Sequence, residues 1–229
     1  MSDASENTAV VARKVINKHS LHEHYETLDQ QQESASLGMW VFLVTEVMFF
    51  GGMMTGYTAY RVAYPEAFQA GSVYMLFMAG TLNTAVLITA SFFVALAVHM
   101  ARVNNRKWLV TCLSIAMFLG MVFLAIKGYE YWDHWVEHKV PGRYFQWSGR
   151  DPRHAELFFV MYFFMTGFHA LHMIIGVCLL AVITCYAYRG RYTPEYHSPV
   201  ENAALYWHFV DIVWIFLYPM LYLIGHKHI

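Results

Sequence analysis

Five long apolar stretches constrain this chain more than any other feature. They run over residues 37–60, 73–101, 108–126, 157–188 and 203–225, and the middle three contain no Lys, Arg, Asp or Glu. A helix needs about 20 apolar residues to cross the hydrocarbon core of a bilayer. All five qualify, and the second and fourth are long enough to tilt or to project beyond the core. The strands of a membrane barrel alternate in units of about ten residues, and these stretches do not alternate. Lipid offers no hydrogen bonds, so a spanning backbone must satisfy itself, as a helix does. The expected fold is all-α: a helical bundle with five transmembrane helices in one domain, 37–229, after a polar N-terminal tail, 1–36. The tail has no short apolar core followed by a small-residue cleavage site, so it reads as an extramembrane arm or a surface helix rather than a signal peptide.

Composition agrees with this class. Hydrophobic residues make up 58% of the chain and charged residues 14%, against about a quarter charged in a soluble domain. The net charge is −1 and no basic stripe is present, which argues against nucleic acid as a partner. Cys112, Cys178 and Cys185 lie within apolar runs without CxxC spacing, so they read as small packing residues, not as a disulfide framework or a zinc site.

Charge asymmetry gives an expected orientation. With the N-terminus inside, the inner segments carry eight Lys and Arg and the outer segments seven. Five of those seven sit between Lys127 and Glu156, and without that long loop the count is eight against two, favouring N-inside. The same loop holds Tyr129, Tyr131, Trp132, Trp135, Tyr144 and Trp147. Trp and Tyr crowded beside a span belong at the headgroup level, so an interfacial helix or a partner-facing surface is expected there. His134 and His138 are four apart and would share a helix face. That is a metal-like spacing, although solvated loop histidines account for it more simply.

Glu46 and Asp211 interrupt the first and fifth stretches. A charged group in the bilayer costs roughly 2.5–3.5 kcal/mol on insertion scales, so such residues face protein or a water-filled path. At a rise of ~1.5 Å per residue, Glu46 lies ~13 Å and Asp211 ~12 Å from the same membrane face. His208 shares a face with Asp211. His169 and His172, on a span running the other way, reach a similar depth, and Met165, His169, His172 and Gly176 align on one face. One polar layer of Glu46, His169, His172, His208 and Asp211 is therefore expected. Hydrogen bonding between helices, handling of protons or lipid headgroups, haem ligation and a redox-inert metal site all fit that layer. Haem ligation needs His169 or His172 paired with His208 or His99, because two histidines three apart on one helix cannot hold opposite faces of one ring. Gly52 and Gly56 form a GxxxG that suggests close helix packing.

The residues around these acids form recognisable motifs. Tyr206-Trp207-His208-Phe209-Val210-Asp211-Ile212-Val213-Trp214, preceded by His197 and Glu201, resembles the HxxxE and YWHFVDxVW of subunit III of the haem–copper oxidases. Thr166-Gly167-Phe168-His169-Ala170-Leu171-His172, continuing to Gly176, resembles the TGxHxLHxxxG of that family. Glu46-Val47-Met48-Phe49-Phe50-Gly51 resembles its SEVxFFxG, with Thr45 where Ser is usual. The resemblance covers Leu37 to Gly225 and matches the last five spans of members that have seven. The absent front pair forms one wall of a lipid-filled cleft in those members.

The resemblance implies a multi-pass accessory subunit in a bacterial plasma membrane. It would pack beside oxidase subunit I, stabilise it and support proton uptake, while the complex reduces oxygen to water and pumps protons. It implies that the chain binds no cofactor itself, with haem and copper held by the partner subunits and phospholipid as a potential ligand. By the same match, Glu46 is the intramembrane carboxylate that reacts with carbodiimides, and His169, His172, His197, Glu201, His208 and Asp211 are structural or lipid-contacting positions. The electron donor is open between cytochrome c and quinol, and nitric-oxide-reductase-associated relatives share the motifs. Two readings from other classes are an independent haem-binding electron carrier and a proton or solute transporter. No inverted repeat of the transporter kind is visible.

Overall fold

The computed structural model describes residues 27–149, 151–193, 196–223 and 225. Most of the polar tail, residues 1–26, lies outside the described residues. The rest of it belongs to the first helix, which begins well before the apolar stretch. Among the described residues six helices follow one another: α1 (Leu28–Ala63), α2 (Pro65–Val73), α3 (Phe77–Arg102), α4 (Arg106–Val136), α5 (Pro152–Tyr188) and α6 (Ser198–Tyr222). Among the described residues there is no strand beyond an isolated bridge between Thr193 and Tyr196. Five of the helices, all but α2, are long and apolar enough to cross a membrane.

Local chemistry sets the ends. Thr27 caps α1 by accepting from the Gln30 amide at 3.2 Å. The residue before a proline avoids the helical region, so α1 stops at Ala63 and Pro65 opens α2. The second apolar stretch is thereby divided: Val73 ends α2, a turn follows, and α3 begins at Phe77. Asn104 takes φ +57° in the turn between α3 and α4, a conformation Asn tolerates better than most residues. Asn105 and Asp151 accept from the amides of Trp108 and His154 at the starts of α4 and α5.

α6 is the axis of the bundle. Trp207, Trp214, Leu217, Leu221 and Tyr222 are all buried on it. α3 turns Gly80, Ala90, Ala97 and Ala101 inward, and α4 presents Cys112, Ala116 and Gly120. Small residues let helix backbones approach where lipid provides no hydrophobic drive. A Cβ added at Gly120 would stand 2.7 Å from the Trp207 ring. α1 differs: Leu37, Val41, Val44, Val47 and Met48 are exposed. Gly52 and Gly56 have nothing within 4 Å of an added Cβ, so the expected GxxxG contact is not made among the described residues.

The C-terminal turn of α6 leaves carbonyls without intrahelical partners. Tyr57 of α1 donates to the Met220 carbonyl at 2.7 Å and Ser72 of α2 to the Leu221 carbonyl at 2.8 Å. α2 thus works as a clasp between the first and last spans.

The expected loop from Lys127 is largely helix. α4 runs on to Val136, nearly three turns past Ile126, where the uncharged run ends. Its inward stripe continues through Lys127, Glu130 and His134, all buried, while Tyr129, Trp132 and Trp135 are exposed. His138 lies past the helix end at φ +55°, so the i, i+4 helical pairing of His134 and His138 does not form.

Candidate functional site

The predicted polar layer resolves into two groups on different helix pairs. Glu46 and His172 join α1 to α5, with Glu46 Oε2 3.1 Å from His172 Nε2. His172 Nδ1 lies 2.8 Å from the Phe168 carbonyl one turn back. A carbonyl only accepts, so Nδ1 carries a proton. The Nε2 contact then holds one further proton, shared as carboxylic acid with imidazole or as carboxylate with imidazolium. Either arrangement has zero net charge, which suits a site in an apolar phase. Phe50 packs edge-on to the imidazole with centroids 5.2 Å apart. Tyr206 donates to the His172 carbonyl at 3.1 Å. Thr45, where the family motif has Ser, bonds the Phe42 carbonyl at 2.6 Å, a bond a Ser hydroxyl makes equally well.

The second group joins α3 to α6. Ser91 Oγ is 2.6 Å from His208 Nδ1, while Asp211 Oδ1 on the same helix is buried without a hydrogen-bond partner among the described residues. Two more bonds continue this seam, Trp214 Nε1 to Thr84 at 3.1 Å and Thr81 to Tyr218 at 2.7 Å. The hydroxyls of Thr81, Thr84 and Ser91 recur along one face of α3, so the helix meets α6 through a row of hydrogen bonds. Ser and Thr in an apolar run are weak signals alone, because they also bond their own backbone.

His169 is separate from both groups. It is buried between Phe123 and Trp214, at centroid distances of 5.6 and 5.1 Å. Neither of its ring nitrogens has a hydrogen-bond partner among the described residues. His197 and Glu201 lie at the membrane edge. Glu201 Oε1 is 3.2 Å from His197 Nε2 and 2.6 Å from Arg102 Nη2, tying the end of α3 to the start of α6. Arg102 is 61% exposed there, so this bridge is worth at most about 1 kcal/mol.

The most completely buried polar cluster is one the sequence reading missed. Lys127 Nζ lies 3.0 Å from Glu130 Oε2, 3.1 Å from the Tyr162 hydroxyl and 2.8 Å from the Tyr222 hydroxyl. Both tyrosines donate to Glu130 Oε1, at 2.9 and 2.6 Å. The cluster ties α4, α5 and α6 together, and the side chains of Lys127 and Glu130 are 3% and 0% exposed. Lys127 is therefore not an outer-loop charge. Its signal in the sequence is an opposite charge three residues on, at helical spacing, directly after an apolar run.

Outside the spans, Asp151 receives the His154 ring at 2.5 Å, and Tyr64 stacks on that imidazole with centroids 3.6 Å apart. The hydrogen bond from His154 holds the Asp151 carboxyl below the usual carboxylate range. Among the described residues, no three His, Cys, Asp or Glu side chains converge as metal ligands would.

Comparison with known proteins matches the sequence to a family. Residues 8–226 fit the family described as Cytochrome c oxidase subunit III. "Cytochrome c oxidase subunit 3" of Squalus acanthias is 33% identical over 216 residues, which is 92% of this chain and 76% of that protein. The protein of the same name from Gadus morhua is 34% identical over the same shares. The helices that carry Glu46, His172, His208 and Asp211 all lie within the matched region, and the chain belongs to the cytochrome c oxidase subunit III family.

Proposed function

We propose that this chain is a non-catalytic membrane subunit that packs beside the haem- and copper-bearing subunit I of a proton-pumping terminal oxidase, stabilising it and helping protons enter. The observation that carries this reading is the state of the intramembrane histidines. His172 is engaged at both ring nitrogens, by Glu46 and by a backbone carbonyl, and Ser91 engages His208. Histidines held in this way serve packing and proton exchange better than they serve as a pair of axial ligands. The Glu46–His172 contact holds one exchangeable proton without net charge, which suits it to pass or buffer a proton in the membrane. On this reading the chain itself holds no haem, copper or other metal.

The relatives' names point to cytochrome c as donor to the complex, and a quinol-oxidising complex is the alternative. We also assign the N-terminal side of the bundle to the inside of the membrane. Removing buried Lys127 from the outer charges widens the bias from eight against seven to eight against six. The membrane we assign is the bacterial plasma membrane, as the motif resemblance implies; the relatives named above are from animals.

A tag on this chain and purification in mild detergent test the reading. A haem-bearing catalytic subunit should co-purify, with oxygen consumption supported by reduced cytochrome c. Recovery of the chain without any haem-bearing subunit overturns the proposal. Oxidation of quinol and not of cytochrome c replaces only the donor.

A further inference from the structure

Beyond the end of α4 the chain forms a pocket of about 430 Å³ that the oxidase reading does not use. It is lined by the Trp135 and Tyr144 rings, by apolar Val140 and Pro141, and by His138 and Arg143. The backbone around it is fixed. Gly142 takes φ +132°, and its amide donates to Glu156 Oε1 at 3.0 Å. The Gln146 amide donates to the His138 carbonyl at 3.0 Å. Lys139 points its ammonium over Tyr74 and Trp147, 4.6 and 5.0 Å from the ring centroids, and donates to the Gln146 carbonyl. Lys139 and Glu156 are thus both engaged in holding the loop. The side chains of Arg143 and His138, by contrast, make no hydrogen bond or ion pair within the described residues. Exposed Glu137 is the acidic neighbour in the sequence.

The pocket's depth in the membrane limits what it binds. α4 runs from Arg106 to Val136. At ~1.5 Å per residue that is roughly 45 Å, the thickness of a bilayer with its headgroups. Arg106 and Lys107 start the helix at one surface, so Trp132, Trp135 and the pocket stand at the opposite headgroup layer. The exposed Tyr129, Trp132 and Trp135 form the aromatic belt expected there. A guanidinium free to make paired N–H bonds is the side chain best matched to a phosphate. Aromatic and proline surfaces beside it suit the glycerol and first methylenes of a lipid. We propose that this pocket binds the phosphate of an anionic phospholipid in the leaflet at the Val136 end of α4, with Arg143 as the anchoring cation and Trp135 and Tyr144 flanking the glycerol.

The test uses the full chain, with whatever subunits co-purify, in nanodiscs of phosphatidylcholine containing a few per cent of photoreactive phosphatidylglycerol. Cross-links should map to residues 135–144. They should fall about fivefold in Arg143→Gln, as expected for loss of one cation at an anionic surface, and stay unchanged in Arg153→Gln, which removes an exposed Arg outside the pocket. An undiminished yield in Arg143→Gln overturns the proposal. So does an equal fall in Arg153→Gln, equal labelling by a photoreactive phosphatidylcholine, or displacement of the label by millimolar inorganic phosphate. The last result would make the pocket a site for free anions. Arg143 has no partner within the described residues, so its substitution should leave the melting temperature unchanged and the readout free of folding effects.

Discussion

Glu130→Gln isolates the energetics of the buried cluster. The substitution keeps side-chain volume and an oxygen that can accept from Tyr162 and Tyr222. Among the described residues it removes the only carboxylate within bonding distance of Lys127, whose ammonium is then left in a dry site facing two hydroxyls and an amide. Removing one partner of a buried ion pair costs about 3–5 kcal/mol. At roughly 2–4 °C per kcal/mol for a chain of this size, the melting temperature should fall by about 6–20 °C. Lys127→Met with Glu130 intact should lose a similar amount. The double variant Lys127→Met with Glu130→Gln removes both charges while Gln still accepts from the tyrosines, so it should regain most of the loss. That non-additivity is the signature of direct coupling. A free cysteine provides the assay: Cys112 is buried, whereas Cys178 and Cys185 are exposed. With the latter two changed to Ser, labelling of Cys112 by a thiol dye on heating reports opening of the bundle. Single-variant shifts under about 2 °C, or a double variant less stable than either single, would refute the claim that a desolvated ion pair holds α4, α5 and α6 together.

Further tests concern other parts of the molecule. Glu46→Gln should leave assembly and haem absorbance intact and slow turnover less than loss of the whole subunit does, because an amide N–H still donates to His172 Nε2; abolition of oxygen consumption in an assembled complex contradicts the accessory role. Gly120→Val should destabilise by about 1–3 kcal/mol through overpacking on Trp207, whereas Gly52→Leu, with open space beside it, should leave the melting temperature of the isolated chain unchanged. The depressed Asp151 carboxyl adds stability that is complete above the ordinary carboxylate value and is lost as pH falls through its lower folded value, so amide exchange in the first turn of α5 should quicken below about pH 4 and lose that pH dependence in Asp151→Ala.

The spans were legible because lipid imposes the same demand on every spanning backbone, and apolar length records it directly. The depth of the polar groups was legible from helical rise, and it correctly put His172 at the level of Glu46. Which faces meet was not legible. Glu46 pairs with His172, while His208 pairs with Ser91 on α3, because packing against α6 decides it and sequence spacing does not. Lys127 shows a different limit. Reading the first charge as the end of a span assumes that charges face water, yet this one is matched by Glu130 and two tyrosine hydroxyls. Those hydroxyls come from residues 35 and 95 positions away in the chain. The break at Tyr74 was hidden for the opposite reason: no charge marks it, and it follows from the way α2 clasps the end of α6.

The clasp also bears on how the molecule is made. Tyr57 and Ser72 bond carbonyls of Met220 and Leu221, 163 and 149 residues further on. A ribosome delivers α1 and α2 to the membrane long before the end of α6 exists, and α1 finds little to pack against in the meantime. The first span must therefore wait beside the growing bundle until the last one arrives. Chains truncated before Met220 should hold α1 through its Glu46–His172 contact with α5 but without the clasp, so α1 should be more open to proteolysis in them than in the intact chain.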